Sequence, residues 1–408
     1  MAEIQPFAAV RPAPDKAPFV VSRSLEEYSP AQRDALMSEN PFSFLHILRP
    51  GFTFGRRVSG AERHDLIRNR YLEFLDEGIF LQESSPCLYL YRQSQAGYSC
   101  AGIFCATPTE AYVSGGIRRH EDTLQRREQL FADYLEQVRF NAEPVLLTYP
   151  DHPGVAAELR RIQELEPEYR FTTPDRITHE MWVVDQPETI RRIGAYFKEV
   201  AALYIADGHH RCASSALLAQ RLQASEPKNL ASNYFMSYLI PESEVRIHAF
   251  SRLLTDLGGL KPADVLIRLD AVYRIREKGR KPYLPSKKHH FSLYLDDRFY
   301  ALYLRKPMWQ FTDPVSSLDT HILYRTVLKP IFGISDPRND PRLQYCSGDQ
   351  GAALVKSRVD SGDFACGFAM LPATMEEIRA VADQNLTMPP KSTYMEPKLR
   401  SGFTIYNF

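Results

Sequence analysis

Tyr204-Ile205-Ala206-Asp207-Gly208-His209-His210-Arg211-Cys212-Ala213-Ser214-Ser215 sets an acid, a glycine, two imidazoles and a guanidinium in succession between an apolar run and an alanine-rich stretch. The apolar run, 201–206, has the character of a strand and 212–222 that of a helix, so the polar cluster is expected on a strand-to-helix turn. Such a turn receives anions well, because the first N–H groups of a helix lack internal partners and carry the positive end of its dipole. Gly208 lets the backbone turn tightly or approach a ligand. Arg211 offers a planar fork for two phosphate oxygens, and His209 and His210 can donate, accept, move protons or bind a metal. Each residue also has an ordinary role: Asp207 as a helix cap, Arg211 as its ion-pair partner, the histidines as polar turn residues. Five such residues in a row at a strand end favour a ligand site, with Asp207 and His210 as candidate catalytic groups.

A second polar group lies upstream. Arg118-Arg119-His120-Glu121-Asp122-Thr123 stands before a segment, 123–139, in which Leu124, Leu130, Phe131, Tyr134, Leu135 and Val138 recur at helical spacing. Two helix starts facing one cleft would make a polyphosphate site. His120 and Glu121 suit metal binding or general-base work, with Glu121 the candidate acceptor of a hydroxyl proton and Thr123 a candidate phosphate contact. Asp122 or Thr123 would equally serve as a cap. Near the end, Met388-Pro389-Pro390-Lys391-Ser392-Thr393-Tyr394 and Lys398 supply further phosphate or carboxylate contacts in Lys391, Ser392, Thr393 and Lys398. The apolar Phe403, Ile405, Tyr406 and Phe408 that follow predict a tail that docks back on the body. His179 and His248 read as ordinary polar residues of strands. The sequence has no His-x-x-x-His, Gly-x-Gly-x-x-Gly, Walker Gly-Lys-Ser or Gly-x-Ser-x-Gly, which disfavours zincin, Rossmann, P-loop and serine-hydrolase mechanisms.

The 408 residues and 44% hydrophobic content allow two or three domains with sizeable cores. Fifty basic residues balance fifty acidic ones, so no global field draws nucleic acid or an anionic membrane, and neither is an expected partner. A small-molecule substrate is expected, with homo-oligomerisation left open. Cysteines at 87, 100, 105, 212, 346 and 366 show no Cys-x-x-Cys pair and no zinc-ligand rhythm, which suits free thiols in a reducing cytosol. The opening Met1-Ala2-Glu3-Ile4-Gln5-Pro6-Phe7 lacks the features of a signal peptide, and no apolar run approaches the ~20 residues that span a bilayer. The expected location is the cytoplasm.

The expected elements alternate. A capped helix is predicted over 29–38, a hairpin from 87–92 and 98–106, the helix 123–139, a strand 145–149 and a helix 155–164. Then follow a strand 180–184, a helix 187–201, the strand 203–206, and a strand pair 234–240 and 245–250. Beyond 254 come a helix 262–271, a basic linker 278–288, a hairpin 291–295 with 299–304, helices 318–328, 349–357 and 373–384, and a strand 365–371. This pattern predicts an α/β (α+β) fold with a mixed sheet and flanking helices. The expected division is 1–254, carrying both polar clusters, and 255–408, an α+β portion whose tail returns to the core.

The 205–211 turn, the His120-Glu121-x-Thr123 element, Phe140-Asn141-Ala142-Glu143-Pro144-Val145 and the Met388-to-Tyr394 segment together resemble a bacterial and archaeal family described as a conserved domain of unknown function. Ile4-Gln5-Pro6-Phe7 and Pro41-Phe42-Ser43-Phe44-Leu45-His46 fit it as well, so the resemblance covers nearly the whole chain. Asp-Gly-His-His-Arg is similar to the phosphate turn of the ParB/sulfiredoxin superfamily, which includes kinases of free serine. The resemblance implies a ParB/sulfiredoxin-like core and a free L-serine kinase making O-phosphoserine from ATP, ADP or pyrophosphate with Mg²⁺, and it makes Asn141 a substrate contact. Cys212, following an arginine, does not match the reactive cysteine of the sulfiredoxins. Relatives carry a Pro-Pro-Tyr-Asp element where this chain has Val21-Ser22-Arg23-Ser24-Leu25-Glu26-Glu27-Tyr28, which bears on donor or acceptor preference if that element meets ligand. The alternatives are a non-catalytic nucleotide- or phosphate-binding regulator and a metal-dependent hydrolase using His120, Glu121, Asp207, His209 and His210.

Overall fold

The computed structural model describes residues 1–226, 230–348 and 351–408. The chain forms two compact units, Met1–Val245 with Pro397–Phe408, and Arg246–Glu396. The division falls at Val245 rather than at 254, because Phe250–Leu254 pairs with Leu343–Ser347 and Cys366–Ala369 and so belongs to the second sheet. The strand pair expected from 234–240 and 245–250 is not formed either: Arg246–His248 pairs with Tyr394–Glu396.

The first unit is built on an eight-stranded mixed sheet. Across it run Ile117–Arg118, Leu203–Asp207, Val145–Tyr149, Tyr234–Pro241, Tyr98–Pro108, Leu88–Gln95, Thr178–Val184 and Tyr169–Thr172. Leu203–Asp207 is parallel to Ile117–Arg118, and Tyr234–Pro241 to Val145–Tyr149; the other neighbours are antiparallel. The expected hairpin closes through Ala96 and Gly97 at φ 42° and 82°, a two-residue turn whose left-handed pair matches the twist of its strands.

Period-two alternation sorts the side chains. Leu88 and Leu90 join Ile103, Val145, Leu147, Ile205, Phe235 and Leu239 in one core, covered by Val155, Leu159 and Ile162 of the helix Pro153–Gln163 and by Ile193 and Phe197 of Pro187–Phe197. Tyr89 and Tyr91 lie on the opposite face. There Phe403 of the tail sits with its ring centroid 5.4 Å from Tyr91, 5.4 Å from Tyr169 and 5.5 Å from Phe171. Both faces are therefore buried, which demands apolar residues at nearly every strand position. The helices Gln125–Val138 and His209–Ser225 pack through Ala132, Leu135, Leu218 and Leu222. The helix Gly60–Asp76 was not anticipated: it buries Ile67, Tyr71 and Phe74 at steps of four and three, a stripe diluted by the charges around it.

The second unit holds a six-stranded, wholly antiparallel sheet in the order Tyr273–Gly279, Arg298–Leu304, His290–Leu295, Cys366–Ala369, Phe250–Leu254, Leu343–Ser347. Its first strand takes up the start of the expected basic linker. The helix expected over 318–328 runs as Asp319–Leu323, passes through a π-helical turn at Tyr324–Leu328 and ends in Lys329–Phe332. Of the helix expected over 349–357, residues 349 and 350 lie outside the described residues, and the helix present is Gly351–Asp360. Among the described residues no helix is long and apolar enough to cross a membrane.

Phe403 is 1% exposed, so its ring is part of the first unit's core. Phe403→Ala is expected to lower the unfolding free energy of that unit by about 3–5 kcal/mol in urea denaturation. A loss below about 1 kcal/mol would mean that the tail contributes no core packing.

Candidate functional site

The strand Leu203–Asp207 ends in an irregularity: its register with Val145–Tyr149 shifts between Ile205 and Asp207. A bulge of this kind re-aims the side chain beyond it. Gly208 follows at φ 99° as the N-cap of the helix His209–Ser225. A β-carbon at Gly208 would stand 2.9 Å from Nε of Arg211, so the glycine serves both the left-handed turn and the seating of the guanidinium above it. The helix begins at His209 rather than at 212. His209, His210 and Arg211 thus occupy its first turn, where N–H groups lack helical partners.

Charge converges here from distant parts of the chain. Arg211 Nη2 donates to Asp207 Oδ2 at 2.6 Å, and Nη1 donates to the Pro144 carbonyl at 2.5 Å. Lys398 Nζ donates to Asp207 Oδ1 at 3.0 Å. Burial pushes the Asp207 carboxyl up, but Arg211 and Lys398 outweigh it and hold the group below its usual range. Both carboxylate oxygens are engaged, so Asp207 fits the task of fixing two cations better than that of removing a proton.

The second expected cluster stands beside the first. The His120 and His209 rings meet edge to face with centroids 4.6 Å apart, and Glu121 Oε2 lies 3.7 Å from His209 Nδ1. His120 is 2% and His209 6% exposed. Burial lowers the His120 pKa to about 4. Burial, followed by the cationic and imidazole neighbours His120, His210, Arg119 and Arg211, holds His209 well below its ordinary value. Both rings are neutral at pH 7. His120 Nδ1 and His209 Nε2 are buried without a hydrogen-bond partner among the described residues. Such orphans cost stability unless a ligand or water completes them.

The remaining expected residues divide. Thr123 gives its hydroxyl to the Glu128 carboxylate. Asn141 Oδ1 accepts the Glu143 N–H at 3.1 Å, and its backbone pairs with Tyr406. The cavity beside Asn141 measures only about 10 Å³, too small for a metabolite. Lys391, Ser392 and Thr393 belong to the second unit. There the Lys391 ammonium lies 5.4 Å from the Phe250 ring centroid, and the Ser392 hydroxyl donates to the Pro389 carbonyl at 2.6 Å. Lys398 belongs to the first unit and meets Asp207 directly. Cys212 is fully buried, and burial raises its thiol pKa, which removes it from nucleophilic roles.

Two residues that the sequence reading does not assign, Glu27 and Arg400, reach the site. Glu27 lies within electrostatic reach of Lys398, Arg23, Arg400 and Asp207, and partial enclosure raises its carboxyl pKa despite the opposing pull of the three cations. It falls in the segment where the chain departs from the Pro-Pro-Tyr-Asp pattern, the one signal that pointed there. Arg400 Nη2 donates to Asp175 Oδ2 at 2.5 Å. Asp175 Oδ1 accepts the Thr173 hydroxyl at 2.6 Å, Thr173 Oγ1 lies 3.1 Å from His179 Nε2, and His179 Nδ1 lies 2.6 Å from the Tyr91 hydroxyl. His179 is thus satisfied on both nitrogens. Its pKa falls to about 3, chiefly through burial. Among the described residues no three His, Cys, Asp or Glu side chains are grouped to hold a metal ion.

Solved structures similar to the chain at low identity include the following three. A conserved hypothetical protein from Pyrococcus furiosus is 14% identical with a TM-score of 0.33, the match covering 72% of this chain and 90% of that one. A free serine kinase in complex with AMP is 12% identical with a TM-score of 0.35, covering 74% and 91%. SbnI with a C-terminal truncation from Staphylococcus aureus is 12% identical with a TM-score of 0.39, covering 74% and 85%. No curated protein matches the chain. Residues 4–321 match a family described as a protein of unknown function, DUF1015. With most of its length inside that match, the chain belongs to the DUF1015 family.

Proposed function

We propose that the protein is a phosphotransferase that moves a phosphoryl group from ATP, ADP or pyrophosphate to the hydroxyl of a small metabolite, free L-serine first, giving O-phosphoserine. One observation carries the reading: Arg211 and Lys398 converge on Asp207 at the start of the helix His209–Ser225, beside two buried imidazole nitrogens that have no hydrogen-bond partner among the described residues. A phosphate there would meet the first-turn N–H groups and the Arg211 guanidinium, within the positive field of Lys398. His120 and His209, being neutral, would each present one N–H or one lone pair rather than a charge. The preference for serine rests on the resemblance of the 207–211 turn to that of free serine kinases.

In this reading the acceptor oxygen attacks the terminal phosphorus, the bond from phosphorus to the bridging oxygen breaks, and the hydroxyl proton passes to a carboxylate. Most of the rate would come from positioning and charge stabilisation. Asp207, doubly paired, is the positioning group. Glu121 stands at the rim of the imidazole pair, and Glu27, whose carboxyl pKa burial raises, is a second candidate acceptor. With no ready-made cage among the described residues, the residues fit Mg²⁺ only as it accompanies a nucleotide, with Glu121 the carboxylate that would hold it. The chemistry it would supply when bound is neutralisation of phosphate charge. Nothing in the geometry favours a metal-dependent hydrolase, because Asp207 is turned to Arg211 and Lys398.

Incubation with serine, Mg²⁺ and each donor in turn is expected to yield phosphoserine by mass spectrometry. Absence of product with every donor from well-folded protein would overturn the reading, and nucleotide-dependent stabilisation without turnover would point to a regulator. Arg211→Ala is expected to weaken donor binding at least about tenfold, as loss of a charge-assisted contact does. Whichever of Glu27→Gln and Glu121→Gln removes the proton acceptor should lower kcat by about 10²-fold or more with little change in KM. Equal, negligible effects of both would exclude a carboxylate base from either position.

The imidazole pair sets a pH dependence of its own. Because both folded-state pKa values are depressed, the unfolded chain binds protons first as pH falls below about 6.5. The stability these rings confer is therefore complete above that pH and is lost as pH falls toward the His120 value of about 4. His120→Asn is expected to shrink the drop in urea midpoint between pH 7.5 and pH 5; an unchanged drop would show that His120 is not buried neutral.

A further inference from the structure

The strand Val145–Tyr149 has a polar centre at each end. Its leading neighbour Pro144 receives Arg211, whereas Tyr149 lines a separate cavity of about 410 Å³ together with Asp151, Arg160, Ser243 and Glu244. At about 3.3 Å per residue the two ends stand roughly 16 Å apart. The volume falls within the range of small-molecule sites, about 300–1,000 Å³.

Tyr149 is 2% exposed, and its hydroxyl has no hydrogen-bond partner among the described residues although it borders the cavity. Its ring is enclosed, and the hydroxyl is left for a ligand or a water in the cavity. Around it stand two acids and one base. Asp151 Oδ1 accepts the Ser243 N–H at 3.1 Å, and Glu244 Oε2 accepts the Ala101 N–H at 2.6 Å. Arg160 forms no ion pair among the described residues. Burial raises the Glu244 carboxyl pKa, and the neighbouring Asp151 adds to the rise. His152 is already engaged: its Nδ1 accepts the Val155 N–H at 3.3 Å and its Nε2 lies 3.2 Å from Glu199.

We propose that this cavity binds a free amino acid, whose ammonium answers Asp151 and Glu244, whose carboxylate answers Arg160, and which accepts the Tyr149 hydroxyl. The charge pattern decides the class. A polyphosphate would be repelled by the two acids, an apolar ligand would gain nothing from the half-buried Glu244 or the Tyr149 phenol, and a simple amine would leave Arg160 unused. The site stands independently of the proposed phosphotransfer chemistry.

Calorimetric titration of the full chain with L-serine, L-leucine, L-glutamate and L-lysine tests this. Two controls, ethanolamine and an N-acetylated amino acid, each lack one of the two charges. At least one free amino acid is expected to bind with a Kd below about 1 mM, and each control at least about tenfold more weakly. Binding should persist in Arg211→Ala, which disables the other site, and should weaken about tenfold or more in Glu244→Gln and in Tyr149→Phe. Ala156→Trp, on the half-buried face of the helix lining the cavity, should abolish it by filling the space while thermal unfolding reports that the fold is kept. If no amino acid binds, if the acetylated form binds equally, or if binding vanishes in Arg211→Ala and persists in both Glu244→Gln and Ala156→Trp, the proposal is overturned.

Discussion

One carboxylate ties the first unit together. Asp207 accepts Arg211 on one oxygen and Lys398 on the other, and so joins the end of a sheet strand, the first turn of the following helix and the returning tail. The arrangement depends on two backbone irregularities. The bulge at the end of Leu203–Asp207 turns the carboxylate toward the tail, and the left-handed Gly208 clears the space that Arg211 occupies. Arg211 is anchored a second time by the Pro144 carbonyl, so the guanidinium is fixed in plane and position before any ligand arrives. A cation fixed in this way loses little freedom on binding an anion, which is the physical meaning of a preorganised site.

The electrostatics of the site separate three kinds of group. Asp207 is held ionised by its partners, His120 and His209 are held neutral by burial, and Glu27 is pushed toward protonation. Groups driven apart in this manner within one small volume can take different parts in one reaction, the ionised one fixing charge and the raised one exchanging protons. The chain from Tyr91 through His179 and Thr173 to Asp175 and Arg400 supports this end of the molecule from the core side. Its members are satisfied by one another, so it reads as scaffolding that sets the path of the tail on either side of Phe403.

The strand Val145–Tyr149 is placed to serve both ends of the sheet. Its residues are fully buried, and its neighbours Pro144 and Asp151 emerge where polar groups gather. A mixed sheet buried on both faces leaves only the strand ends and their loops free for chemistry. That constraint accounts for the location of the cationic turn at one end and of the acid-lined cavity at the other.

Much of the local structure was legible in the residues. Alternation marked the strands Val145–Tyr149 and Leu203–Asp207, helical spacing marked Gln125–Val138, and the polar run after Ala206 marked the turn itself. These follow from near-neighbour periodicity and the special backbone of glycine, which are properties of short segments. The sequence expects two helix starts sharing a cleft; in the fold the His120 ring meets His209, while the helix that follows His120 begins only at Gln125. The presence of Glu27 and Arg400, the double pairing of Asp207, the diversion of Thr123 to Glu128 and of Asn141 to its own turn, and the placing of 391–393 in the second unit were decided only by tertiary structure. Those relations join residues as far apart as 27, 207 and 398, and local spacing carries no information about them. They are set by which faces must be buried together and by how buried charges find partners once those faces have closed.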